Sequence, residues 1–75
     1  MITISLRCYG LCAFHQPDPP VLILPDGSTV ADALARLNLP EELETVPLVD
    51  GGQVSGTTAL CDGSVLGLVP IVGGG

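Results

Sequence analysis

Apolar and polar positions alternate from the second residue to the eighth. Ile2, Ile4, Leu6 and Cys8 fall on one face, with Thr3, Ser5 and Arg7 on the other. This period of two predicts a strand with one buried side, on which Cys8 serves as a small hydrophobe. Gly10, Pro17, Asp18, Pro19 and Pro20 interrupt the pattern, so residues 10–20 are expected to form a loop with His15 exposed on it. Val21 to Leu24 reads as a second short strand, stopped by Pro25, Asp26 and Gly27. Its nearness to the first strand predicts an antiparallel hairpin.

The period then changes. Val30, Ala33, Leu34 and Leu37 recur at helical spacing, Ser28 or Thr29 can cap the helix, and Asp32 lies in the first turn, where the helix dipole favours a carboxylate. Asp32 and Arg36 are spaced to pair at i,i+4 on the solvent side, and Pro40 is the expected stop. Glu41, Glu42 and Glu44 follow as an acidic turn. Thr45–Val49 predicts a third strand, near a sheet edge because Pro47 has no N–H for a ladder, ending at Asp50, Gly51 and Gly52. Residues 53–61 accommodate a short edge strand or a single helical turn. Asp62 and Gly63 turn the chain into a last strand over 64–69.

That last strand is apolar on both faces, with Val65, Val69 and Ile71 on one and Leu66, Leu68 and Val72 on the other. One helix covers only one side of a small sheet, so the other face is left for a partner. The docking surface expected on this ground comprises Val65, Val69, Pro70, Ile71, Val72 and Gly73. It runs into Gly73, Gly74 and Gly75, a run that buries no side chain and is entropically costly to order. Without Cβ atoms such a tail threads a narrow slot. Fully extended, residues 71–75 reach roughly 17 Å and present a terminal carboxylate at the far end.

Composition narrows the class. Seventy-five residues make one domain, which at this size buries only about 60% of its unfolded surface and leaves little room for an enclosed active site. Hydrophobic content is 47%, but the most apolar stretch, 65–72, contains Gly67 and Pro70 and is far shorter than the ~20 residues of a spanning helix. The alternation at the N-terminus does not resemble a secretory signal, so a cytoplasmic, membrane-free chain is expected. Net charge is −6, eight carboxylates against Arg7 and Arg36 alone. That balance disfavours nucleic acid and anionic lipid and fits an electropositive protein partner. Lysine is absent, so the chain offers no side-chain amine as an isopeptide acceptor. Three cysteines, Cys8, Cys12 and Cys61, fit free thiols better than a disulfide framework. With His15 they make four potential zinc ligands, but their spacing departs from paired-cysteine knuckles, and no metal is expected.

Several stretches together resemble the bacterial ubiquitin-like sulfur carriers, a family that includes the small subunit of molybdopterin synthase and the sulfur carrier of thiamine thiazole synthesis. They are Gly27-Ser28-Thr29-Val30-Ala31-Asp32-Ala33-Leu34, Val49-Asp50-Gly51, Leu60-Cys61-Asp62-Gly63-Ser64-Val65, and Val69-Pro70-Ile71-Val72-Gly73-Gly74-Gly75. The resemblance spans the chain except the 10–20 loop. It implies an α+β, β-grasp domain over residues 1–75: a mixed sheet of four to five strands, its first and last strands parallel neighbours at the centre, one helix on one face, and a flexible tail at 71–75. Parallel neighbours would put Cys8 and Cys61 at opposite ends, roughly 20 Å apart, which excludes a joint metal site.

By the same resemblance, Gly75 is adenylated by a ubiquitin-activating-like enzyme that uses ATP, then converted to a thiocarboxylate, with Gly74 as its companion in the slot. The acceptor is a synthase, either a molybdopterin synthase large subunit or a thiazole synthase. Pro70 leans toward the molybdopterin branch. Ser64 departs from a frequently acidic position, and Gly67 stands where a bulky or aromatic residue is frequent. The domain is then a carrier and substrate with no stably bound cofactor, not a stand-alone enzyme. Rival readings are an interaction module without tail chemistry, a protein modifier joined through Gly75, and a plant-type ferredoxin, which needs four cysteines where this chain has three.

Overall fold

The computed structural model describes residues 1–39 and 43–71. Pro40 as helix stop, Glu41 and Glu42 of the acidic turn, and the tail residues Val72, Gly73, Gly74 and Gly75 lie outside the described residues. The elements in chain order are β1 (Ile2–Cys8), a 3-10 helix (Gly10–His15), β2 (Val21–Leu24), α1 (Val30–Leu37), β3 (Thr45–Val49), β4 (Gly52–Gln53) and β5 (Val65–Pro70).

The five strands form one mixed sheet in the order β2-β1-β5-β3-β4. β1 and β2 pair antiparallel, as a hairpin requires. β1 and β5 run parallel, with Ser5 beside Val65 and Cys8 beside Leu68. β5 and β3 are antiparallel, Val46 opposite Val69 and Leu48 opposite Gly67. This is the β-grasp arrangement that the resemblance implies, and β5 lies at its centre.

Period-two alternation decides the faces. Ile2, Ile4 and Leu6 are buried between exposed neighbours, and Leu66 and Leu68 join them with Leu24, Leu60, Val30 and Ala33 of the helix in one aliphatic core. Thr29 caps α1. Its side chain accepts from the Asp32 N–H, while the Asp32 carboxylate accepts from the Thr29 N–H at 2.8 Å, a reciprocal capping box. Ser28, the other candidate cap, is buried and donates its hydroxyl to the Pro25 carbonyl at 2.7 Å. The Asp32 carboxylate is thus turned to Thr29, and among the described residues it makes no ion pair with Arg36. Asn38, in the left-handed region at φ 52°, already ends the helix by donating its N–H to the Leu34 carbonyl.

Further readings are corrected. Residues 10–15 form a 3-10 helix rather than loop, anchored by Cys12, which is fully buried in the core; Cys8 is only half-buried. The edge segment after the third strand begins one residue early, because Asp50 (φ 51°) and Gly51 (φ 88°) form a two-residue hairpin turn that pairs Gly52 with Val49. The last strand runs one residue later than expected, from Val65 to Pro70. Pro47 sits beside the short β4 as its chemistry demands: its carbonyl accepts from the Val54 N–H at 3.1 Å, so its missing N–H also faces away from β5. Among the described residues no helix is long and apolar enough to cross a membrane.

Candidate functional site

The open face of the sheet is set by register. Residues directly opposite one another share a face, so Val65, Gly67 and Val69 of β5 lie with Val46 and Leu48 of β3 and with Ser5 and Arg7 of β1 on the side away from the core. Val69 is 37% exposed and Ile71 49%, while Val65 and Pro70 are half-buried. The structure therefore brings Val65, Val69 and Ile71 together as an apolar strip along the central strand, leading to the tail. Val72 and Gly73, the remaining docking candidates, and Gly74 and Gly75, the candidates for tail chemistry, lie outside the described residues.

The base of the tail is braced from both sides. The Ile71 N–H donates to the Glu44 carbonyl at 2.9 Å, which prolongs the β3–β5 pairing past the strand end. On the other side Pro70 meets the start of the 3-10 helix. Gly10 adopts φ 54°, and a Cβ on it would stand 3.0 Å from Pro70 Cγ. Glycine suits this position on two counts, because its positive φ strains other residues and a side chain would crowd the Pro70 ring. At the opposite end of β5, Asp50 accepts from the Val65 N–H at 3.1 Å, and Asp62 accepts from the Thr3 N–H at 2.8 Å. Ser64 is buried, and its hydroxyl accepts from the Cys61 N–H at 3.1 Å, so at this position it closes the turn.

Gly67 is not bare. Its neighbour is the Tyr9 ring: a Cβ built on Gly67 would lie 3.5 Å from Tyr9 Cε2. The aromatic group that the strand lacks is supplied from beyond the end of β1. Arg7, Tyr9, Leu48, Asp50, Val65 and Gly67 help to line a shallow hollow of about 320 Å³ on this open face. Tyr9 had no signal in the alternation because it follows the strand. Its mark in the sequence is compositional, since Tyr9 and Phe14 are the chain's only aromatic residues.

The cysteines do not converge. Cys8 stands beside Leu68 near the far end of β5, whereas Cys61 precedes that strand by four residues. Among the described residues no group of three or more histidine, cysteine or acidic side chains is placed to hold a metal ion. Burial raises the Cys8 thiol above its ordinary value, with a further push from Cys12, and burial likewise raises Cys12. Both are protonated at neutral pH and poor nucleophiles. His15 is exposed at the end of the 3-10 helix.

A model of the ThiS family matches residues 18–75. The chain belongs to the ThiS family. That family is one of ubiquitin-like sulfur carriers, and the matched span holds α1, β5 and the whole glycine tail. Solved structures agree on the fold of this ThiS-family chain. A Pyrococcus furiosus protein assigned as molybdopterin converting factor, subunit 1, superposes with a TM-score of 0.74 at 21% identity, covering 96% of this chain and 100% of that one. SAMP1 from Haloferax volcanii gives 0.70 at 19% identity over 97% and 99%. The structure of H. volcanii small archaeal modifier protein 1 gives 0.74 at 18% over 96% and 100%. No curated protein matches the chain in sequence.

Proposed function

We propose that the chain carries sulfur as a thiocarboxylate on Gly75 and delivers it in cofactor biosynthesis, with molybdopterin as the product pathway. The observation that carries this reading is the family match through residue 75, joined to an apolar strip that leads to the tail. A carboxylate is a poor electrophile. When its oxygen attacks the α-phosphorus of ATP on an adenylating enzyme, pyrophosphate leaves and an acyl adenylate forms. Hydrosulfide then attacks the acyl carbon, AMP departs, and the thiocarboxylate that remains is a nucleophile. Gly74 and Gly75 are the reacting end, Gly73 gives clearance, and Val65, Val69, Pro70, Ile71 and Val72 dock the partner. The machinery for both steps belongs to partners, which a chain of net charge −6 meets best through basic surfaces. Free cysteines and a reaction that consumes ATP support a cytoplasmic setting for this chemistry.

Pro70 and the likeness to a molybdopterin converting factor subunit support the molybdopterin assignment over the thiazole one. The deciding experiment gives the thiocarboxylated chain to a purified molybdopterin synthase large subunit and, separately, to a thiazole synthase. Sulfur transfer with the first alone is expected, and transfer with the second alone reverses the assignment. A second reading, as a protein modifier, is favoured by the likeness to small archaeal modifier protein 1. With no lysine the chain would act there as donor only.

A further inference from the structure

The chain has one tyrosine, one phenylalanine and no tryptophan, and neither aromatic lies in the core, whose buried apolar members are aliphatic residues and Cys12. Both stand on one short segment. Tyr9 is 46% exposed at the entry to the 3-10 helix, and Phe14 is 84% exposed near its end. Burying a phenylalanine contributes roughly 1.5–3 kcal/mol relative to leaving it in water. The free fold forgoes that gain at its only phenylalanine.

The segment holding these rings is anchored. The Tyr9 N–H donates to the Leu68 carbonyl at 3.1 Å and the Cys12 N–H to the Tyr9 carbonyl at 3.0 Å. The Cys8 N–H donates to the Gln16 side-chain oxygen at 2.8 Å, and Cys12 is buried in the core. It also borders the strand that emits the tail, through Tyr9 against Gly67 and Gly10 against Pro70. Residues 9–17 contain no carboxylate, an uncharged island on a chain of net charge −6.

We infer that segment 9–15 is an aromatic docking element for the adenylating enzyme that receives the tail, with Phe14 entering an apolar pocket whose basic surroundings meet the chain's carboxylates. The occupant is that protein rather than an anionic lipid surface, which this net charge repels. Residues 9–15 precede the span matched by the family model. That placement suits an element that selects the partner rather than one that serves the shared tail chemistry. Preorganised aromatic anchors are the residues on which interface affinity concentrates. The inference rests on the carrier reading of the tail, and the test separates the two.

ATP–pyrophosphate exchange by the adenylating enzyme of the same organism is measured against the concentration of the unaltered chain, Phe14→Ala and Phe14→Leu. The expected result is a KM raised roughly tenfold or more by Phe14→Ala with kcat unchanged, an intermediate KM for Phe14→Leu, and equal melting temperatures for all three. Exchange with the unaltered chain and the same KM for both variants overturns this inference and leaves the carrier reading standing. No exchange with the unaltered chain overturns both. A dimer in light scattering that Phe14→Ala dissociates, with KM unchanged, overturns it in favour of a second copy as the occupant.

Discussion

Leu68 and Val69 are neighbours with opposite duties. Leu68 is fully buried against the core while Val69 is exposed, so one strand stabilises the domain with one set of side chains and leaves the other set open. Leu68→Ala removes buried methyl groups that nothing can replace, and we expect it to lower stability by about 2–5 kcal/mol. Domains usually hold only about 5–15 kcal/mol in all, so urea unfolding should move far to lower denaturant, and a loss below about 1 kcal/mol contradicts the assigned core. The thiols give a second expectation. Cys8 and Cys12 have folded-state pKa values raised above the ordinary 9.0, so above that pH the unfolded chain releases protons that the folded chain keeps. Their contribution is therefore complete below the ordinary value and is lost as pH rises through the folded one. Unfolding midpoints should fall as pH rises above about 9, and less so in a Cys8→Ala/Cys12→Ala variant. An equal fall in both would show that these thiols are not the cause.

At the scale of elements, β1, β2, α1, β3 and β5 were legible because each rests on a local rule. Alternation marks β1, short apolar runs bounded by turn residues mark β2, β3 and β5, and helical spacing marks α1; Asp50 and Gly51 marked only the end of β3, and the hairpin they form was not read. The 3-10 helix was not legible, because the residues that hold it in place are distant: Cys12 is drawn into a core built by other elements, and Gly10 answers to Pro70, sixty residues on. Tyr9 escaped for the same reason, since only the parallel register of β1 and β5 sets it beside Gly67. Composition could name a docking face but not its aromatic border. Residue type alone left the helix cap undecided between Ser28 and Thr29, and the side-chain hydrogen bonds give it to Thr29. Removing the reciprocal carboxylate, in Asp32→Ala, should cost about 1 kcal/mol in thermal or urea unfolding. No measurable change would mean the capping box contributes nothing.

For the whole molecule, the division of labour is economical. A 75-residue chain has little room to enclose a reaction; its fold fixes one central strand between β1 and β3 and buries one of that strand's faces, and on the proposed carrier reading the open face leads to a tail that another protein works on. Acidic charge, absent lysine and an apolar strip are consistent with that proposed donor role. The measurement that tests this most directly is the intact mass of the untagged protein after incubation with ATP, the adenylating enzyme and a sulfur donor, beside a variant lacking Gly75. A mass gain equal to replacement of one oxygen by sulfur, seen only with the complete tail, is the predicted result. No gain with an enzyme shown to bind the chain, or the same gain without Gly75, would contradict the carrier function.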